Sequence, residues 1–248
     1  PPPSADWALF LDIDGTLLDY APHFQAVRAG PVVQQLLGRL LGASGGALAL
    51  VSGRSVEDID RLFAPLRLPL AGQHGTERRA ADGTIHRHTP PLDRLGEAAA
   101  EMVRLTAAHS ALAFENKGMT LAMHYRRAPE LHDEVAAGMR RIAARAGEDF
   151  ELQAGKFVFE LKPSGKNKGG AIAEFLAEAP FAGRTPVFIG DDLTDEDGFA
   201  VVNRARGHSV KVGPGETCAP WRLADPAAVR AWLADWANNV SREAGAHP

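Results

Sequence analysis

The sequence has almost no cysteine, no excess of positive charge and no long apolar run. Its single cysteine, Cys218, excludes an internal disulfide bond and fits a reducing compartment such as the cytoplasm. A formal net charge of −4 and the lack of Lys/Arg runs argue against nucleic acid or a membrane surface as partners. No segment has the roughly 20 consecutive apolar residues that span a bilayer, and the start, Pro1-Pro2-Pro3-Ser4, does not read as a signal peptide. We therefore expect a cytoplasmic protein with no nucleic-acid or membrane partner, and we expect a monomer.

The two ends of the chain carry alternating strand and helix patterns. Short apolar runs, typical of strands buried on both faces, predict strands at 7–11, 47–51, 68–71, 186–190 and 208–212. Helical spacing predicts helices at 31–41, after Ser55, at 168–178, at 195–204 and from Asp225-Pro226 onward. Ser55 is predicted to cap the helix that follows it. This alternation predicts an α/β fold with a doubly wound parallel sheet.

The middle of the chain has a different pattern. Helices at about 92–109 and 129–146 each precede a pair of strand-like runs, and the second pair turns at Ala154-Gly155. We therefore predict an inserted α+β domain at 78–162, flanked by core segments 1–77 and 163–248. Because the insertion lies between core strand ends, we expect it over the crevice where open α/β sheets bind ligands.

Two acidic clusters stand where predicted strands end. Asp12-Ile13-Asp14-Gly15-Thr16 follows the first strand, and Asp191, Asp192 and Asp195 follow strand 186–190. Gathered carboxylates repel one another unless a positive charge lies between them, and oxygen-only ligands favour a hard divalent cation such as Mg²⁺. We expect Asp191 to ligate the metal directly, with Asp192 or Asp195 holding a metal water or orienting a neighbour. The alternative is an acidic helix start that only complements the helix dipole.

The same clusters predict a phosphoryl-transfer reaction. Asp12 would attack phosphorus to form an aspartyl phosphate, and Asp14 would protonate the leaving sugar oxygen and later deprotonate water. Ser52, at the end of the second strand, would hold phosphoryl oxygens. Lys168 opens a predicted helix, where the dipole disfavours a cation, so we expect it to neutralise the nucleophile and the transferring group. Segment 163–170 lacks the GxxxxGK[ST] spacing, which excludes a nucleotide-hydrolase loop.

Polar residues concentrate at the hairpins of the predicted insertion. Paired carboxylates and amines of this kind suit hydrogen bonding to sugar hydroxyls, although solvated strand faces are the simpler alternative. The residues are Glu115, Asn116, Lys117, His124, Arg126 and Glu160.

Together these motifs resemble a known family. The DxDGT sequence at Asp12, with Ser52, Lys168 and Gly190-Asp191-Asp192, is similar to the four motifs of the haloacid dehalogenase-like (HAD) phosphatases. Longer matches resemble the trehalose-6-phosphate phosphatases within that superfamily. They are Ser52-Gly53-Arg54, Gln73-His74-Gly75-Thr76-Glu77, Glu115-Asn116-Lys117-Gly118, His124-Tyr125-Arg126, Glu160-Leu161-Lys162-Pro163, Asn167-Lys168-Gly169 and the segment from Gly190 to Phe199.

The resemblance implies a Rossmann-like core with a C2-type cap, Mg²⁺ as cofactor, and hydrolysis of trehalose 6-phosphate to trehalose and phosphate, a step of trehalose biosynthesis. Together with the motifs above, it leads us to expect three sets of functional residues. The expected residues are Asp12, Asp14, Ser52 and Lys168 for catalysis, Asp12, Asp14 and Asp191 for the metal, and Glu115, Lys117, Glu160 and Arg54 for the substrate.

Three alternatives stay open. A related enzyme could act on another ester, such as sucrose 6-phosphate, and only the hairpin residues of the insertion separate the two by sequence. A sugar-phosphate sensor without turnover would be expected to lack Asp12, Asp14 or Lys168, yet all three are present. A mutase is the third alternative, and this sequence shows no separate signature of one.

Overall fold

The computed structural model of the protein describes residues 3–20 and 27–245. Its strands within these residues are β1 (Trp7–Leu11), β2 (Leu48–Val51), β3 (Leu70–Gly72), β4 (Glu77–Arg79), β5 (Ile85–Arg87), β6 (Ala113–Asn116), β7 (Leu121–His124), β8 (Phe150–Gly155), β9 (Val158–Pro163), β10 (Thr185–Gly190), β11 (His208–Val212) and β12 (Trp221–Leu223). The α-helices are α1 (Pro31–Ala43), α2 (Val56–Phe63), α3 (Leu92–Ala108), α4 (His132–Ala146), α5 (Lys168–Leu176), α6 (Glu196–Arg204) and α7 (Pro226–Gly245).

The chain forms two compact units. The core unit comprises Pro1–His86 and Asn167–Pro248, and the inserted unit comprises Arg87–Lys166. None of the helices within the described residues has both the length and the apolarity that crossing a membrane requires.

The core unit contains an eight-stranded sheet in the order β12-β11-β10-β1-β2-β3-β4-β5. The pairs from β12 to β3 are parallel, whereas β4 runs antiparallel to β3. Side chains of β1 alternate between two hydrophobic clusters: Trp7, Leu9 and Leu11 pack with α1, α2 and α7, and Ala8 and Phe10 pack with α5 and α6. Helices therefore cover both faces, which confirms the predicted doubly wound α/β fold.

Strand β4 was absent from the sequence-based prediction because its residues, Glu77-Arg78-Arg79, are all charged. The structure buries them because each finds partners: Arg79 Nη2, for example, donates to Asp60 Oδ1 at 2.6 Å and to the Leu68 carbonyl at 2.9 Å. Buried charges are tolerated when they are paired in this way.

The inserted unit has the predicted order of helix, hairpin, helix and hairpin. Its antiparallel sheet is ordered β6-β7-β9-β8, and α3 and α4 share a hydrophobic cluster with residues such as Leu121, Met123 and Leu161. The second hairpin turns at Lys156-Phe157, two residues later than predicted, because Gly155 pairs with Val158 inside the ladder. Successive strand residues point to opposite faces, so the face away from the helices carries the polar side chains.

Candidate active site

Four neighbouring parallel strands of the core unit end at residues of the candidate site. In sheet order these strands are β10, β1, β2 and β3. They are followed by Asp191, Asp12, Ser52 and Gln73, respectively. The carboxyl edge of a parallel sheet is where open α/β folds bind ligands, so the topology gathers these residues at one edge although the sequence separates them widely.

Lys168, the first residue of α5, joins the two acidic clusters. Its ammonium donates to Asp12 Oδ1 at 2.8 Å and to Asp195 Oδ1 at 2.7 Å, and all three side chains are buried. Burial raises the pKa of Asp12 well above its usual range, Lys168 opposes this, and Asp195 and Asp191 add to it. Burial alone would lower the pKa of Lys168, but the two carboxylates outweigh it and raise that pKa.

The carboxylates outnumber the cation that binds them. Oxygen atoms of Asp12, Asp191 and Asp195 lie within 4.8 Å of one another. Burial and the neighbouring Asp195 raise the pKa of Asp191 to about 6. Three crowded carboxylate oxygens, only partly neutralised by the Lys168 ammonium, are ligands that fit a hard divalent cation. Asp14, also expected as a ligand, is not a member of this group of three side chains.

Asp195 and Asp192 have different roles in this loop. Asp195 Oδ2 accepts the backbone N–H groups of Asp191 and Asp192, both at 3.0 Å, while its other oxygen binds Lys168. Asp192 instead accepts the N–H of Leu193 at the start of the next turn. Asp195 thus orients Asp191 and Lys168 together, which is one of the two roles expected for it.

Two further side chains hold Asp191, and the sequence analysis missed both. Tyr20 donates its hydroxyl to Asp191 Oδ2 at 2.9 Å, and Thr16 Oγ1 lies 3.4 Å from Asp191 Oδ1. Burial, and next the Asp191 charge, raise the pKa of Tyr20. A Cβ at Gly15 would lie 2.4 Å from Asp191 Oδ2, so a glycine is required there for this approach. Tyr20 and Asp191 are 171 residues apart, and no local pattern pairs them.

Arg54 binds Asp14 with two parallel hydrogen bonds. Its Nε donates to Asp14 Oδ2 at 2.6 Å and its Nη2 donates to Asp14 Oδ1 at 2.7 Å. Such a bidentate pair fixes the plane of the carboxylate. The sequence analysis assigned Arg54 to the substrate, and this contact adds a second task, the orientation of Asp14.

Ser52 is buried at the start of the loop between β2 and α2. Its backbone N–H donates to the Ala71 carbonyl at 2.9 Å, and its Oγ accepts the N–H of Arg54 at 3.2 Å. The loop ends at Ser55, which caps α2 by accepting the N–H of Asp58, as predicted. Ser52 and Arg54 are therefore held in one short, hydrogen-bonded loop.

Of the residues predicted to bind sugar, Glu115, Lys117 and Glu160 lie near one another in the inserted unit. Asn116 does not share their row: it is exposed and pairs with Leu121, a residue of the hydrophobic cluster. Glu115, Ala122, Glu160 and Gln153 form one cross-strand row. Lys117 binds the Glu160 carboxylate, with side chains only 9% and 7% exposed. His124 Nε2 lies 2.8 Å from Glu115 Oε2, within hydrogen-bonding distance. The structure places Glu115 and Glu160 in one row of the sheet and links Lys117, which directly follows β6, to Glu160. It adds His124 as the partner of Glu115.

Known proteins resemble this chain in sequence and in fold. A family model described as trehalose-phosphatase matches residues 10–227. A trehalose-6-phosphate phosphatase of Escherichia coli (strain K12) is 48% identical over 233 residues, which cover 94% of this chain and 87% of that protein. The crystal structure of a trehalose-6-phosphate phosphatase related protein has a TM-score of 0.81 at 26% identity, covering 95% of this chain and 99% of that one. A haloacid dehalogenase-like hydrolase from B. subtilis shares the fold, with a TM-score of 0.64 at 14% identity, covering 92% and 99% of the two chains.

Proposed function

The chain belongs to the trehalose-phosphatase family, and from this premise we propose that it hydrolyses trehalose 6-phosphate to trehalose and phosphate, a step of trehalose biosynthesis. The observation that carries the proposal is the buried Lys168 ammonium, bound to Asp12 and Asp195 at the carboxyl edge of a parallel sheet. This is the setting in which a carboxylate can attack a phosphoryl group whose negative charge is neutralised.

In the proposed first step Asp12 attacks phosphorus and the bond from phosphorus to the sugar oxygen breaks, which leaves an aspartyl phosphate. Lys168 neutralises charge on Asp12 and on the phosphoryl oxygens, because its buried ammonium loses little strength to solvent. Ser52, with nearby backbone N–H groups, would hold the phosphoryl oxygens. Water then cleaves the aspartyl phosphate and releases phosphate.

Asp14 is the proposed proton carrier. It gives a proton to the departing sugar oxygen and takes one from the attacking water, so the carboxyl returns to its starting state. Arg54 donates to both Asp14 oxygens and so fixes the orientation of the carboxyl group. One of these two bonds has to open before Asp14 carries the proton that it gives, and contact of Arg54 with the substrate would open it. This contact with the substrate stays a prediction.

We propose Mg²⁺ as the cofactor, because the crowded carboxylates of Asp12, Asp191 and Asp195 provide the hard oxygen donors it prefers. Asp12 and Asp191 are the proposed side-chain ligands, and a ligand role for Asp14 stays a prediction. When bound, the ion would neutralise charge on the transferring phosphoryl group. Tyr20 and Thr16 hold Asp191, while Asp195 holds the adjoining backbone.

Recognition of the sugar is proposed for Glu115, Lys117 and Glu160 of the inserted unit. Carboxylates and an ammonium can exchange their mutual hydrogen bonds for bonds to sugar hydroxyls, and a sugar lacking these partners would leave buried charges unsatisfied. We expect the enzyme to act as a monomer in the cytoplasm, consistent with its single cysteine.

The test is phosphate release from trehalose 6-phosphate, sucrose 6-phosphate and glucose 6-phosphate, each with Mg²⁺ and with a chelator. Turnover that requires Mg²⁺ and strongly favours trehalose 6-phosphate is expected. Preference for another ester would retain the core chemistry and overturn the roles of Glu115, Lys117 and Glu160. Folded protein that binds these esters without turning any over would be a sensor rather than an enzyme.

A further inference from the structure

The turn after β3 has an unusual backbone. Three consecutive residues, Gln73, His74 and Gly75, have φ angles of 47°, 56° and 94°. Left-handed conformations are costly for residues with a Cβ and rarely occur in sequence, so they persist only where the surroundings hold them. Both non-glycine residues are buried, at 1% and 4% exposure. Strain of this kind is concentrated at functional sites, so the contacts of the turn are informative.

The turn is bonded to the loop that carries Ser52 and Arg54. The Gln73 N–H donates to the Arg54 carbonyl at 2.8 Å, and the His74 N–H donates to the Ser52 carbonyl at 3.0 Å. The imidazole of His74 lies against Gly53, where an added Cβ would be 2.6 Å from its Nε2. The backbone of the loop is thus held at both ends by hydrogen bonds and in its middle by the ring.

Glu77 connects the turn to the first residue of α2. Its Oε1 accepts the Gln73 side-chain amide and the backbone N–H of Val56, both at 2.8 Å. Val56 is the first residue of α2, directly after the loop. One buried carboxylate therefore ties the turn to the point where the loop ends.

The opposite side of the turn packs on the helix that carries Lys168. A Cβ at Gly75 would lie 2.7 Å from the Asn167 carbonyl oxygen and 3.2 Å from Ala171 Cβ. Asn167 caps α5 and directly precedes Lys168. The turn therefore lies between two parts of the candidate site, in direct contact with each.

We infer that the Gln73–Gly75 turn positions the phosphate-binding loop Ser52–Arg54 relative to Lys168, and that His74 is its positioning residue. The inference rests on the proposed function, since it takes Ser52 and Lys168 as the groups that hold the phosphoryl oxygens. Three successive left-handed residues, of which Gln73 and His74 are strained, give a short turn that is buried between the loop and α5 and contacts both. His74 acts through Gly53 and does not itself touch the substrate.

A double-mutant cycle tests the contact. Gly53→Ala places a methyl group against the ring, and His74→Asn removes the ring while keeping a residue that tolerates the left-handed conformation. The variants and their combination are compared for tungstate affinity by calorimetry with Mg²⁺ present, for KM and kcat on p-nitrophenyl phosphate, and for melting temperature. Gly38→Ala is the matched control, because a Cβ at Gly38 meets nothing within 4 Å.

We expect Gly53→Ala to weaken tungstate binding and raise KM, and His74→Asn to weaken binding with little change in melting temperature. The combined variant should bind tungstate better than Gly53→Ala alone, with a coupling of about tenfold. Additive losses, or unchanged tungstate affinity in His74→Asn, would overturn the inference, as would a wild-type protein that binds no tungstate. Neither probe is a sugar phosphate, so an error in the proposed substrate would leave the result of the cycle intact.

Discussion

The core unit and the inserted unit both bury charged side chains, but they balance them differently. In the core unit, three neighbouring carboxylates, Asp12, Asp191 and Asp195, share one bound ammonium, that of Lys168. In the inserted unit each of two carboxylates has a nitrogen partner: Lys117 binds Glu160, and His124 Nε2 lies 2.8 Å from Glu115 Oε2.

We propose that this difference separates the chemistry of the core unit from sugar recognition by the inserted unit. Burial, and after it the neighbouring carboxylates, raise the pKa values of Asp12 and Asp191. A surplus of buried negative charge is costly and favours the binding of a cation. The Lys117–Glu160 pair carries no such surplus, and both pairs offer donors and acceptors that a polyhydroxyl ligand can take over. Changes in the core unit should therefore act on every phosphate ester, and changes in the inserted unit on the choice of ester.

The largest expected effect follows from Asp12→Asn. Loss of the nucleophile should lower kcat by about 10⁵-fold on every ester, the scale seen when a nucleophile is removed from a catalytic group. Removing one of three crowded carboxylates should leave the melting temperature unchanged or higher. Asp197→Asn, at an exposed position in the first turn of α6, is the control and should stay near wild type. A folded Asp12→Asn protein with near-normal kcat would refute the nucleophile assignment.

A smaller and selective effect is expected from Glu160→Gln. The change deprives buried Lys117 of its carboxylate and should lower kcat/KM for trehalose 6-phosphate by about 10- to 100-fold, the range for a hydrogen bond to a charged group. Hydrolysis of p-nitrophenyl phosphate, which has no sugar, should hardly change. Glu130→Gln, at an exposed site in the same unit, serves as the comparison. Equal losses of kcat/KM on both esters would contradict a role of the inserted unit in the choice of ester.

The smallest effect concerns pH and metal. The folded protein holds the Asp191 proton more tightly than the unfolded chain, because the pKa is raised from 3.8 to about 6. In a chelator, the contribution of Asp191 to the free energy of unfolding should therefore fall as pH rises from about 4 to about 6. Mg²⁺ competes with that proton, so it should raise the melting temperature by roughly 2–4 °C near pH 7.5 and by less near pH 5.

Asp191→Asn provides the check on this pH effect. The variant should lose the Mg²⁺-dependent gain in melting temperature at both pH values. A gain that is equal at both pH values in the wild type would contradict a metal site built on Asp191.

The predictions from sequence succeeded where a local pattern carries the information. The apolar runs identified β1, β2 and β10. Asp12 and Asp191, which directly follow two of these strands, lie close together in the structure, while their roles in catalysis and metal binding stay predictions. Helix signals located Ser55 as a cap and Lys168 at the start of α5. Contacts between residues distant in the chain could not be predicted: no local pattern near Tyr20 indicates Asp191, and none near Glu77 indicates Val56.

The sequence by itself determined the fold class, the inserted α+β unit and the family, because hydrophobic periodicity, caps and motif spacing are local properties of the chain. Tertiary structure decided which charges meet: Lys168 with Asp12 and Asp195, Arg54 with Asp14, and Lys117 with Glu160. It also decided that the Gln73–Gly75 turn is left-handed and touches both the loop and α5. The physical reason is that these contacts arise only once strands distant in the chain lie side by side, parallel in the core unit and antiparallel in the inserted unit. The side chains are then buried where each charge must find a partner.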